Sequence, residues 1–296
     1  MNRKSYLLWT LLLVFTILLS ACGGDEATEQ AAEVEQPPAA EQPAEDTSAE
    51  SQEEATSQEE PAEAADTPVV ETEAEAAPEE GIISGDIILD PAVIARKDAD
   101  SLLVAGYLFS GLVRLVDGEP VLALAEELER SDDGLEYVVT LRANCRFQNG
   151  ERITSDVVIA NFERWFDGDS PLHGSHDRYE AWDYHFYGFK GDVDSNGKPL
   201  SVYDGAEKED NRTFVIHLNQ PIPELELLYN LAEPQFSIVR PGDLETHGDS
   251  YGTSLDTVNG SGPYTISSWT SDELVLEPNE FYCGEVPEEA LELIIQ

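Results

Sequence analysis

The stretch Ser131-Asp132-Asp133-Gly134-Leu135-Glu136-Tyr137-Val138-Val139-Thr140-Leu141 sets the fold class. Asp-Asp-Gly is a tight-turn signal, because Asp side chains accept local backbone N–H groups and Gly takes positive φ without strain. After it, Leu135, Tyr137, Val139 and Leu141 recur at every second position, the period of a strand with one buried face. A second turn follows at Phe147-Gln148-Asn149-Gly150. Thr154 then suits a helix N-cap, Asp156 sits in the first turn, and 157–166 has helical spacing.

Further out, Ile82-Ile83 and Ile87-Ile88-Leu89 read as short strands, the second stopped by Asp90-Pro91. Residues 100–108 read as a helix. The stretch 112–128 reads as strand, turn at Asp117-Gly118, and short helix over 123–128. Phe214, Ile216 and Leu218 alternate as a strand, and 221–231 reads as a helix opened by two prolines. Gly260 to Pro263 is a turn, with strand candidates at 264–266, 274–276 and 291–295. Strands and helices alternate irregularly, so the class is mixed α/β or α+β.

The first 80 residues differ in kind. Arg3 and Lys4 precede an apolar run over 6–19 that ends in Leu19-Ser20-Ala21-Cys22. A charged start, a run too short for a comfortable membrane span and small residues before a cysteine describe a bacterial lipoprotein signal over 1–21. Cys22 would become the first mature residue and carry the acyl chains of a stable membrane anchor. The competing reading is an uncleaved membrane helix with an incidental cysteine. Residues 23–80 hold 20 acids and no Lys, Arg or aromatic residue. Such a segment buries too little apolar surface to offset its ordering entropy, so 22–80 is expected to be a disordered, self-repelling acidic tether.

The full chain carries −45, of which residues 81–296 account for −27. That balance excludes a nucleic-acid partner, whose phosphates need Lys and Arg. Besides Cys22, Cys145 and Cys283 remain, either as an oxidised pair outside the cytoplasm or as two separate buried thiols.

No nucleophile elbow, phosphate loop or dinucleotide fingerprint is present. His173 and His176, with Asp177, Asp183 and His185 nearby, have metal-ligand chemistry, but lie in a loop without a helix to fix their geometry. Asp192, Asp194, Asn196 and Gly197 match the first half of a Ca²⁺ loop, yet Tyr203 stands where the bidentate acid belongs, which favours an Asn-Gly turn. No metal and no cofactor is therefore expected. Residues 167–212 are turn-rich and aromatic, with Tyr179, Trp182, Tyr184, Phe186, Tyr187 and Phe189. Such rings either fill a core or line a ligand cleft.

Three stretches, taken in order, resemble one family. They are Leu89-Asp90-Pro91-Ala92 with Tyr107-Leu108-Phe109-Ser110-Gly111-Leu112-Val113; Leu124-Ala125-Glu126 through the Asp-Asp-Gly turn to Leu141-Arg142, the Phe147 turn and Phe162; and Gly260-Ser261-Gly262-Pro263-Tyr264 with Trp269, Leu276-Glu277-Pro278-Asn279, Tyr282 and Gly284. The chain looks like the dipeptide/oligopeptide/nickel group of extracellular solute-binding proteins, family 5, which serve ABC importers.

The resemblance implies a two-lobed, periplasmic-binding-protein-like clamshell of α/β class. The first lobe would comprise 81–109 and 236–296, starting with the Leu89-Asp90-Pro91 strand, with 110–235 inserted as a subdomain. It implies capture of a peptide, or a related small solute such as a nickel complex or sugar, between lobes outside the cytoplasm. Closure would then present the solute to ABC permease subunits. Family contacts fall here on Ala95 and Lys97, and on Tyr179, Trp182, Tyr184 and Tyr187. No bond is made or broken in such a protein, so it is not an enzyme. Cys283 stands where the family usually has Trp and Cys145 where it has a small apolar residue, and the paired exchange suggests a mutual bridge. The family continues well beyond position 296 into a second lobe, so the chain is expected to be truncated and to bind peptide poorly alone. Two other classes compete: a lipid-anchored surface scaffold or adhesin of the same fold, and a hydrolase using paired carboxylates drawn from the 41 acids of 81–296.

Overall fold

A computed structural model describes residues 81–84, 86–175 and 179–296. The signal, Cys22 and the acidic tether lie outside the described residues, as do His176 and Asp177.

The Asp-Asp-Gly turn joins β4 (Ala125–Arg130) to β5 (Glu136–Leu141), with Leu128 opposite Val139 and Arg130 opposite Tyr137. Asp133 Oδ1 accepts from Leu135 N at 3.1 Å and from Ser131 Oγ at 2.8 Å. The other edge of β5 pairs with β7 (Thr213–Leu218), which pairs with β6 (Tyr203–Lys208), giving an antiparallel sheet in the order β4-β5-β7-β6. Alternation decides its faces. Tyr137, Val139 and Leu141 of β5 and Phe214, Ile216 and Leu218 of β7 are all buried. Against them lies α2 (Ser155–Phe166), which contributes Val158, Phe162 and Trp165.

A second four-stranded sheet closes the chain on itself. Here β1 (Gly81–Ile83) runs parallel to β10 (Leu291–Ile295), which continues antiparallel through β9 (Glu273–Pro278) to β8 (Tyr264–Trp269). Its core takes Ile83, Leu89, Leu274, Leu276 and Leu293, with Val104 and Leu108 from α1 (Ala99–Leu108). A small hairpin, β2 (Val113–Val116) with β3 (Glu119–Leu122), lies under α4 (Glu224–Leu231). The remaining helices are α3 (Glu180–Phe186) and α5 (Pro241–His247).

Three devices tie the two cores together. Gly260 and Gly262 lie against the C-terminal turn of α1 in the second core, where Gly262 N donates to Leu108 O at 2.9 Å and a Cβ on Gly260 would stand 1.9 Å from that same oxygen, while Gly260 O accepts from Gln148 N at 2.9 Å, next to Phe147 of the first core. Asp90 and Arg164 form a buried ion pair with contacts of 3.0 and 2.5 Å. Cys145, in the first core, is joined by a disulfide to Cys283, which packs on that core and lies in the segment following β9 of the second sheet, with Cα atoms 4.8 Å apart.

Several expectations need correction. Residues 87–89 are extended but join no sheet among the described residues: Ile88 N donates to Ser101 Oγ at 2.9 Å and Leu89 N to Gly252 O at 3.3 Å. The strand beside β10 is Gly81–Ile83 instead. Residues 123–128 are not helical. Their Ala, Leu and Glu favour a helix, but pairing with β5 satisfies the backbone and buries Ala125, and tertiary context overrides so weak a preference. Thr154 occupies the N-cap of α2 without a side-chain capping bond. The turn-rich 167–212 region contains α3 and β6, and α5 was not foreseen.

Candidate functional site

The candidate surface begins with a short turn. Pro91–Val93 forms one turn of 3-10 helix whose residues are all buried. Ile94 is buried next to it, and Asp98 caps α1 by accepting from Ser101 N at 3.1 Å. Asp98 N also donates to Ala95 O at 2.9 Å. Between these two anchors, 95–97 has nowhere to go but outward: Ala95 is half-buried, and Arg96 and Lys97 are exposed.

Facing this turn is α3. Trp182 and Phe186, one helical turn apart, stack at 4.3 Å and point into the core. That leaves Tyr184, 58 % exposed, on the outer side, with Tyr187, 56 % exposed, just past the helix end. Tyr187 ends α3 with φ of 63°, and its N–H donates to Asp183 O at 3.0 Å. An aromatic residue in this left-handed region costs about 1–2 kcal/mol relative to a relaxed backbone.

The turn and the helix meet through charge and ring. The Arg96 guanidinium carbon lies 3.5 Å from the centroid of the Tyr184 ring. The Pro91–Val93 turn packs on the Pro234–Phe236 turn, which brings Glu233 alongside. Arg96 Nη2 reaches Glu233 Oε1 at 3.5 Å, and His185 Nε2 reaches the same oxygen at 2.9 Å. Burial pushes the Glu233 carboxyl up, but the nearby His185 and Arg96 more than reverse this and hold it below its usual range.

Of the expected contact residues, Lys97, Tyr184 and Tyr187 are exposed and Ala95 is half-buried, and the two segments meet between Arg96 and Tyr184; Tyr179 and Trp182 require correction. Both are core residues, 2 % and 1 % exposed. Trp182 Nε1 donates to Gly188 O at 3.0 Å, and Tyr179 Oη donates to His173 O at 2.6 Å with its ring stacked on His173. Burial pushes the Tyr179 hydroxyl up to about 12. Their surface is spent on packing. Arg96 and Glu233 went unread in the sequence, and His185 was read only as a metal-type residue. Arg96 is flanked by the two residues that were singled out, whereas Glu233 lies 137 positions from it and gave no local signal.

The metal-type residues are otherwise engaged. His173 Nδ1 lies 2.7 Å from Arg164 O, and His185 faces Glu233. Asp194 Oδ1 accepts from Asn196 N and Lys198 N at 2.7 and 3.0 Å, as a turn does. No group of three or more metal-ligating side chains occurs among the described residues. A cavity of about 440 Å³ adjoins the Pro91–Val93 turn, bordered by Ile87, Ile88, Asp90, Val93, Tyr251 and Trp269, and its lining includes none of the residues singled out for ligand contact. No helix among the described residues is long and apolar enough to cross a membrane.

The chain is similar to known proteins. The family profile described as bacterial extracellular solute-binding proteins, family 5 (middle), matches residues 119–293. A dipeptide-binding protein of Lactococcus lactis subsp. cremoris is 31 % identical over 188 residues, covering 62 % of this chain and 32 % of that protein. The oligopeptide-binding protein OppA of Bacillus subtilis is 29 % identical over 195 residues, covering 63 % and 33 %. The chain thus spans about a third of the length of the curated relatives it matches. Among solved structures, the periplasmic binding protein DppA of Helicobacter pylori in complex with the peptide STSA superposes with a TM-score of 0.56 at 23 % identity, covering 73 % of this chain and 41 % of that one. NikA of Brucella suis in complex with Fe(III)-EDTA gives 0.54 at 21 %, covering 74 % and 39 %. These structures carry the fold, a mixed α/β periplasmic-binding-protein architecture of which this chain matches part.

Proposed function

The chain belongs to the bacterial extracellular solute-binding proteins, family 5, and from that premise we propose that it is the solute-capturing part of an ABC importer's binding protein. It takes a peptide or related small solute outside the cytoplasm and hands it to membrane permease subunits. No covalent step is involved. Specificity comes from burial and hydrogen bonding as a cleft closes.

The single observation that carries this reading is the meeting of the 95–97 turn with α3. Two segments far apart in sequence present Arg96, Lys97, Tyr184 and Tyr187 to solvent on a rigid two-core support. Exposed rings beside unburied cations on anchored elements suit recognition better than packing. In the same reading, 81–109 with 236–296 form part of one lobe, 110–235 is its inserted subdomain, and Cys22 carries the lipid that holds the protein at the membrane face.

Uptake measurement tests it. Disrupting the gene should reduce accumulation of radiolabelled di- and oligopeptides, and an intact copy should restore it. A Cys22→Ser copy should restore it poorly and release the protein from membranes. Undiminished uptake of peptides, nickel complexes and sugars in the disrupted strain would contradict the proposal.

A further inference from the structure

A small cavity of about 110 Å³ holds two arginines and no acid. It is lined by Arg114 of β2, Leu122 of β3, Arg142 just past β5, Ser110, and the 282–284 stretch that follows β9. Residues 81–296 contain 41 acids, and cations elsewhere find them. Arg96 reaches Glu233, Lys190 Asp167, Lys208 Asp156, Arg212 Glu126, and Arg240 both Glu151 and Asp243. Arg164 is paired with Asp90, and Arg130 lies over the Asp133 turn. Arg146 donates to Gly150 O at 2.6 Å, and Arg152 is bridged to it through the backbone. Neither of these last two lines the cavity.

The cavity's donors are positioned but unspent. Arg142 Nε donates to Ala123 O at 2.6 Å and Nη2 to Leu122 O at 3.3 Å, which fixes the guanidinium and leaves Nη1 without an acceptor among the described residues. The Arg114 side chain has no acceptor among the described residues. It stands opposite Val121 in the β2–β3 hairpin, and Glu119, on the same face, accepts from Tyr229 Oη at 3.4 Å instead. Tyr282 brings a hydroxyl that likewise lacks a partner among the described residues. Its ring folds back over Gly284, where a Cβ would stand 2.6 Å from the ring and 2.8 Å from Oη, so the absence of a side chain at 284 sets the ring's place. The Ser110 hydroxyl, in contrast, is spent on Ser261 O at 3.2 Å. Glu280 and Glu285 flank the 282–284 stretch in sequence and stay out of the lining.

The space is far below the roughly 300 Å³ at which pockets begin to hold drug-sized ligands, so a peptide does not fit. Two guanidinium groups and a phenol from three separate segments suit a compact anion with several oxygens, because charge-assisted hydrogen bonds then form from more than one side. The net −27 of residues 81–296 opposes an anion at a distance, and screening confines that opposition, so capture acts at contact.

We propose that this cavity binds a phosphate-type anion, held by Arg114, Arg142 Nη1 and Tyr282 Oη. The anion braces the 282–284 stretch against β2 and the end of β5, beside the Cys145–Cys283 disulfide. The site is separate from the 95–97 turn and α3, and it stands whether or not that surface takes a solute. Free phosphate and the phosphodiester of a lipid headgroup offer the same chemistry.

The test titrates the purified full chain with sodium phosphate, with dimethyl phosphate, and with sodium chloride at matched ionic strength. Nuclear magnetic resonance follows the side-chain Nε–H signals of Arg114 and Arg142. Phosphate should shift both with a single affinity about tenfold tighter than chloride, the worth of one charge-assisted hydrogen bond. Arg114→Gln should weaken phosphate by about tenfold, read on Arg142, and Tyr282→Phe should weaken it less. Arg152→Gln removes the same charge outside the cavity and should leave the affinity unchanged. Backbone spectra that match the parent away from each substitution show that the variants fold. Dimethyl phosphate binding as tightly as phosphate assigns a diester of headgroup type, and weaker binding assigns the free anion. Shifts no larger with phosphate than with chloride would overturn the site. Equal weakening by Arg114→Gln and Arg152→Gln would also overturn it, because the response would then be bulk screening.

Discussion

Asp90 follows a strand-like Ile87-Ile88-Leu89 and precedes Pro91, and in sequence it reads only as a stop. Folded, its carboxylate is buried and paired with Arg164, 74 positions away. Burial works against the charge on Arg164, but Asp90 outweighs it and keeps the guanidinium firmly protonated. No local pattern could show this, because each partner's environment is made by the other's element. Removing one member leaves a buried charge alone, so Asp90→Ala should lower stability to urea by about 3–5 kcal/mol, and pairing it with Arg164→Met should recover much of the loss. A single-variant loss below about 1 kcal/mol would show that the pair does not brace the cores. Glu233 makes a pH-dependent contribution. Its folded carboxyl holds a proton less readily than the unfolded one, so the unfolded chain takes up protons first as pH falls. The stability it confers is present above about pH 4.5 and lost as pH drops through its lowered folded value. The stability gap between the parent and Glu233→Gln should therefore shrink between pH 6 and pH 3, and a gap that stays constant would contradict this.

Elements were legible where side chains and turns agreed. The Asp-Asp-Gly turn with alternating Tyr137, Val139 and Leu141 gave β5 in its correct facing, and the helical spacing of 157–166 gave α2. They were illegible where pairing partners decided. The stretch 123–128 has helix-forming residues, yet from Ala125 it enters β4 because β5 offers it a ladder, and the apolar run 87–89 finds no strand to pair with among the described residues. In α3 the aromatic density hid a helix that buries Trp182 and Phe186 and exposes Tyr184. At its end, Tyr187 holds a left-handed backbone that glycine adopts freely. Tyr187→Gly should thus raise stability by about 0.5–1 kcal/mol in thermal melts, after the entropy glycine adds to the unfolded chain. A destabilised variant would mean that the exposed ring packs more than its 56 % exposure indicates.

At the scale of the molecule, the first strand pairs with the last, and residues between them build the other core. Such long-range closure leaves no trace in local composition, and the order of motifs along the chain carried it instead. The disulfide ties the segment following β9 to the first core across 138 residues. By loop entropy its loss should lower stability by about 5 kcal/mol at most, less if the unfolded chain keeps structure. Cys145→Ala with Cys283→Ala should show this in urea, and unchanged stability would mean that Gly260, Gly262 and the Asp90–Arg164 pair already fix the two parts. Solute capture is tested most directly by hydrogen–deuterium exchange of the purified chain with a millimolar pool of dipeptides. Slower exchange confined to the amides of 95–98 and 183–188 is expected, whereas unchanged exchange there, or protection only elsewhere, would contradict a solute site at the Arg96–Tyr184 surface.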